Sequence, residues 1–175
     1  TQAFTLNELP ALLKNKQLIT IYGISLLFAS AYYTAYSYIE PFLAEVAHLS
    51  NFSITLVLSL FGVAGIGGSY LFSKFYNLNR KRFILISLFC LTFVLFVLKP
   101  SAASIITLLL ICVVWGMSST AFNVACQSET ILVTNEQTSS IAMSIFSGIF
   151  NLGIGLGSFI GGQAINILNI QSIGY

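Results

Sequence analysis

The chain has 175 residues, of which 57% are hydrophobic and only 7% charged, whereas water-soluble domains carry roughly 25% charged residues. A mean hydropathy of +0.91 excludes a water-soluble fold, because a chain of this length has too little interior to hide so much apolar surface. Seven Lys/Arg and five Glu, with no Asp, sit in short patches between apolar runs. The solvent of this chain is therefore lipid.

Residues 1–17 are polar and mixed and lack the apolar run and small-residue cleavage site of a signal peptide, so they read as a cytoplasmic lead-in. Residues 18–175 read as an all-α membrane bundle. About 20 apolar residues cross a bilayer as a helix, and five stretches qualify: 18–39, 54–73, 83–98, 104–126 and 140–166. The third is short, and the fifth is long enough to tilt. The chain opens at Thr1 and stops at Tyr175 without a polar tail, which reads as a piece of something longer.

Lys14 and Lys16 precede the first span, and Lys74, Arg80, Lys81 and Arg82 surround the link between the second and third. Alternating topology puts these six on one side and Lys99 on the other, so the positive-inside rule makes the N-terminus cytoplasmic. The 40–52 and 99–103 links then face outside. The 127–139 link falls inside with Glu129 and Glu136 but no base, and lends that orientation no support.

In the first span Ser25, Ala29, Tyr32, Tyr36 and Glu40 share one helical face, and in the second Thr55, Ser59, Gly62, Gly65 and Ser69 do likewise. The third span is bulky and apolar all round, as suits a helix at the edge of a bundle. Cys112, Gly116, Thr120, Asn123 and Gln127 mark the fourth span; Ser140, Ser144, Ser147, Asn151, Gly155, Ser158 and Gly162 mark the fifth. Polar groups at membrane depth face protein or water, so one solution turns these four stripes toward a shared interior. The other is plain helix packing, for which small and hydroxyl residues are the usual glue. Gly153, Gly157 and Gly161, spaced by four, suggest a close-contact ridge, and Gly62 and Gly65 read as packing glycines too.

Candidate cavity residues are Tyr32, Tyr36, Asn123, Gln127, Ser147 and Asn151. A buried carboxamide needs up to four hydrogen bonds, and a phenol both stacks and donates. Tyr22, Tyr36 and Tyr38 also fit interfacial anchoring. Glu40-Pro41 is expected to end the first span, since proline breaks the ladder; Glu40 is then either solvated or part of an outer gate or proton site. Cys90, Cys112 and Cys126 match no metal or redox spacing and read as small buried hydrophobes. His48 reads as a solvated surface residue. Asn51-Phe52-Ser53 fits the glycosylation sequon. The sequence implies no metal, cofactor or nucleic-acid partner, and no nucleophile–base pair of an enzyme.

Thr34–Phe42 (TAYSYIEPF) resembles the seventh helix of bacterial sugar efflux transporters, in the drug:proton antiporter branch of the major facilitator superfamily. Phe61–Ser69 (FGVAGIGGS) is similar to their eighth, Trp115-Gly116 to their tenth, Phe146–Gly157 (FSGIFNLGIGLG) to their eleventh, and Ser172–Tyr175 to the lead into the twelfth. The stretch from Gly68 to Arg82 resembles a degenerate copy of the superfamily's signature loop, with Ser73 where the acidic residue falls. The resemblance implies helices 7–11 and the start of 12 of a twelve-helix major facilitator fold, with the first six-helix half absent. It implies a multi-pass protein of a bacterial inner membrane, alternating access about a midplane site, and export of sugars or related small solutes driven by protons. The coupling carboxylates are then expected in the absent half. An exporter of drugs or amphipathic compounds is the alternative, as is a truncated remnant or a small subunit working through a partner.

Overall fold

The computed structural model describes residues 9–168, with side chains from 12 to 167; the expected lead into a further helix at 172–175 lies outside them. In chain order the helices are α1 (Leu9–Lys14), α2 (Lys16–Tyr36), α3 (Ile39–Glu45), α4 (Asn51–Phe75), α5 (Arg80–Ser101), α6 (Ile105–Leu132) and α7 (Ser139–Leu168). A 3₁₀ turn, Tyr76–Leu78, extends α4. Five segments are long and apolar enough to cross a membrane: Lys16–Glu45, Asn51–Leu78, Arg80–Ser101, Ile105–Leu132 and Ser139–Ile167. Each expected span is present and each is longer than expected.

Much of the extra length is polar. Asn15 Oδ1 accepts from the Gln17 and Leu18 amides, and Asn79 Oδ1 accepts from the Arg82 amide at 3.0 Å, so both helices start at a capping asparagine beside the charges. An apolar count stops at Lys or Arg, but a helix continues, because long basic side chains reach back to the headgroup layer. Span three thus starts at Arg80 and runs through Pro100 in its last turn.

The break in span one is displaced from the expected position. It falls at Ser37–Tyr38, and Glu40 and Pro41 lie in the first turn of α3. A proline ring displaces the carbonyl four residues earlier and offers it no amide, so the ladder opens at Ser37. Within a first turn, proline's missing N–H has no intrahelical role to lose. His48 turns the chain into α4 at φ 52° and is exposed. Asn51 and Phe52 of the sequon are exposed in the first turn of α4.

The helices pair as α2 with α7 and α4 with α6, and α5 flanks α6. Each main pair is a close backbone approach permitted by glycine. A Cβ on Gly153 would lie 2.6 Å from Ala29 Cβ; on Gly157, 2.3 Å from Ser30 O; on Gly161, 2.5 Å from Thr34 O. These three form the ridge of α7 against α2. Between α4 and α6 the approach is reciprocal: a Cβ on Gly68 would meet Met117 O at 2.3 Å and one on Gly116 would meet Phe61 O at 2.3 Å. Gly65 abuts Thr120 Oγ1, whereas no described residue lies within 4 Å of a Cβ on Gly62, so Gly62 is not part of this seam.

Hydrogen bonds reinforce the α2–α7 seam. Tyr22 Oη donates to Ala142 O at 2.8 Å, Thr34 Oγ1 to Gly157 O at 3.2 Å, and Tyr38 Oη to Ser158 O at 2.8 Å; the Ser37 and Ser158 hydroxyls lie 2.7 Å apart. Tyr22 and Tyr38 are therefore inter-helix ties. In lipid such bonds fix the partner face, because an unpaired hydroxyl has no water to turn to.

The four polar stripes do not meet in one interior within this chain. On α2, Ser25, Ala29 and Tyr32 are buried. On α6, Cys112 and Gly116 are buried and Thr120, Asn123 and Gln127 half-buried. Thr55, Ser59, Gly62 and Ser69 of α4 are exposed, as are Ser140, Ser144, Ser147, Asn151 and Gly155 of α7. The other faces of those two helices were taken by the glycine seams. Helix α5 buries only Ser87, Leu91, Val94, Leu98 and Ser101 and exposes Leu85, Phe89, Phe93 and Phe96, in keeping with an edge position.

Candidate functional site

A cavity of about 190 Å³ opens where α2, α6 and α7 converge. It is lined by Phe28, Tyr32 and Tyr33 of α2, Ser119, Thr120 and Asn123 of α6, and Phe150 of α7. Each contribution follows from helical spacing: Phe28 and Tyr32 are four apart, as are Ser119 and Asn123, so each pair shares a face. The seam between α2 and α7 holds Phe150 alongside Phe28, ring centroids 6.3 Å apart.

Behind this wall lies a continuous aromatic cluster. Phe28 stacks on Phe122 at 4.1 Å, and Tyr32 stacks on Tyr36 at 5.1 Å. The edge of Tyr32 meets Trp115 at 5.8 Å, and Trp115 also meets Phe61 of α4 edge to face at 5.5 Å. Offset and edge-to-face contacts of this kind hold rings in fixed orientations. Trp115 is fully buried, and its indole N–H has no hydrogen-bond partner among the described residues. Ser25 Oγ is buried and unpartnered in the same way.

The polar side of the cavity is Asn123. Its Oδ1 accepts from Gln127 Nε2 one turn on, which fixes the carboxamide's orientation and leaves its own NH₂ without a bond among the described residues. Wall and amide together form a pocket with a flat stacking surface, two phenols, two hydroxyls and a directed N–H donor. No charged side chain among the described residues lines it.

Of the expected cavity residues, Tyr32 and Asn123 line this space, Gln127 is Asn123's hydrogen-bond partner, and Tyr36 is half-buried one ring farther along the stack. Ser147 and Asn151 are not brought to it; both are exposed on α7. The α7 residue that does reach it is Phe150. Phe28, Ser119 and Phe150 were not singled out from the sequence, although Phe28 and Ser119 each stand four residues before a residue that was.

Glu40 stands elsewhere. It is exposed and borders a hollow of about 470 Å³ with Asn51, Thr55 and Ser59 of α4, so the polar stripe of α4 and the carboxylate share one wall. At the far end of α4 a third cluster forms: Glu129 accepts from Tyr76 Oη at 2.8 Å and lies 3.6 Å from an Arg80 guanidinium nitrogen. The basic link and the acidic residue of the 127–139 link thus tie α4, α5 and α6 together. Cys112 and Cys126 are buried as expected; Cys90 is half-exposed.

A family model described as Major Facilitator Superfamily matches residues 2–158. The chain is 37% identical over 172 residues to a protein of Pasteurella multocida named "Probable sugar efflux transporter", covering 98% of this chain and 42% of that protein. Proteins of the same name from Mannheimia succiniciproducens and Haemophilus influenzae are 37% and 36% identical over 173 residues, covering 99% of this chain and 43% of each. The chain thus spans about two fifths of the length of the curated relatives it matches.

Proposed function

We propose a transport function from one premise: the chain belongs to the major facilitator superfamily. In our reading it supplies helices 7–11 of a twelve-helix secondary transporter that exports sugars or related small hydroxylated solutes by proton-coupled alternating access. The membrane is a bacterial inner membrane, as the relatives' organisms suggest. Cavity, phenols and amide together support a neutral, ring-shaped, hydroxyl-bearing cargo. The single observation that carries the reading is the convergence of Tyr32, Asn123 and Phe150 from three helices on one space. A sugar ring offers a C–H face to stack on an aromatic and hydroxyls to accept from an amide.

The exposed stripes of α4 and α7 would complete the path against the remainder of the longer protein. Glu40 would act as an outer gate or proton-linked group in that assembly, a reading supported by its position beside the α4 stripe. A second reading, export of amphipathic compounds, has an observation behind it: four of the seven lining residues are aromatic.

Everted vesicles carrying the full-length protein separate the two. With an imposed proton gradient, arabinose should accumulate and a cationic dye should not. Accumulation of the dye alone would establish the second reading, and accumulation of neither, with the protein inserted, would end both.

A further inference from the structure

Away from the cavity, a groove of about 410 Å³ runs between α4, α5 and α6 at the end that carries the basic cluster. Buried Ser118 and Ala121 form its floor, Leu71 and Ile86 its walls, and exposed Asn79 and Arg82 its polar end. No carboxylate among the described residues lines it.

The four cations nearby are not equivalent. Arg80 is engaged by Glu129 at 3.6 Å, and the Lys74 ammonium lies over the Phe75 and Tyr70 rings at 5.4 and 5.9 Å. Lys81 and Arg82 make no ion pair among the described residues. The groove is thus apolar along its length and positively charged at one end, where the first turn of α5 adds the positive end of its dipole. This pattern complements a molecule with a long apolar chain and an anionic head. Basic pockets between transmembrane helices recognise lipid headgroups in this way.

We propose that this groove binds one anionic phospholipid, its phosphate on Arg82 and one acyl chain along the floor of Ser118 and Ala121. The site is independent of the cavity and of the transport reading. It gives the basic cluster a role beyond setting orientation. Arg82 can hold a phosphate through two parallel N–H bonds, and Lys81 adds long-range attraction.

The test uses full-length protein in detergent, titrated with dioleoylphosphatidylglycerol or dioleoylphosphatidylcholine and read by native mass spectrometry. One phosphatidylglycerol should be retained where phosphatidylcholine is not. Arg82→Gln should weaken retention about fivefold, the share of one surface cation, and Cys90→Trp, which fills the groove without altering charge, should abolish it. In wild-type protein, phosphatidylglycerol should also slow alkylation of Cys90 by N-ethylmaleimide, read on the peptide, and Arg82→Gln should need about fivefold more lipid for the same protection. Equal retention of both lipids would overturn the proposal. Loss with Arg82→Gln but not with Cys90→Trp would overturn it too, by seating the lipid on the exposed cluster.

Discussion

Asn123 is the residue on which the cavity's polarity turns. Its oxygen is held by Gln127, so its N–H donors keep one direction; in a low-dielectric site such a preset donor is worth more than in water. Net hydrogen bonds contribute about 0.5–1.5 kcal/mol each, so removing two should weaken arabinose transport by about tenfold. Asn123→Leu should therefore cut arabinose uptake into everted vesicles about tenfold, with membrane insertion unchanged, and Gln127→Leu should cut it less. Equal uptake by wild type and Asn123→Leu would return Asn123 to helix packing. Tyr32 and Asn123 were legible in the sequence because a polar group at membrane depth stands out against apolar neighbours. Phe28 and Phe150 were not, since one more phenylalanine in an apolar helix carries no contrast. Ser147 and Asn151 have the same contrast as Asn123 yet lie on the open face of α7, because polarity marks a face as non-lipid without saying which neighbour it meets.

Among the helices, the glycine seams decide which faces remain available. The four-residue spacing of Gly153, Gly157 and Gly161 announced a ridge, and α2 fills it. The α4–α6 seam was harder to read: Gly68 and Gly116 stand opposite bulky Met117 and Phe61, and what they meet is backbone carbonyl. Gly62 has the same composition around it and faces open space, because it lies about 100° round the helix from Phe61, whose carbonyl sits at the seam. A Cβ at 2.3 Å from Ser30 O cannot be relieved by rotating a side chain, so Gly157→Ala must push α2 and α7 apart. It should destabilise the protein by about 1–3 kcal/mol, the usual range for overpacking, seen as a lower midpoint in detergent thermal melts. Gly62→Ala should leave the midpoint unchanged or raise it, since Ala favours helix over Gly by up to about 1 kcal/mol. Equal loss in both would mean that the seams are looser than this geometry. Helix ends were the least legible feature, because charged first turns belong to the helix but not to the apolar run that identifies it.

Taken as one body, the bundle exposes two kinds of surface. Phe89, Phe93 and Phe96 of α5 suit lipid, whereas Ser59 of α4 and Ser147 and Asn151 of α7 do not. Burying an unpaired amide in hydrocarbon costs about 2 kcal/mol or more, so these faces meet protein or water in the membrane. The relatives, more than twice as long, have the chain to cover them. In an alternating-access transporter such faces are wetted from one side and then the other, whereas a static packing interface stays dry. Single cysteines discriminate, once Cys90 is replaced by Ser; Cys112 and Cys126 are buried and can remain. Asn151→Cys and Ser59→Cys in the full-length protein should react with a membrane-impermeant thiosulfonate, and arabinose should slow the reaction; Phe93→Cys should stay inert. If Phe93→Cys reacts and the other two do not from either compartment, the polar stripes are sealed seams, and the solute path must run through some other part of the protein.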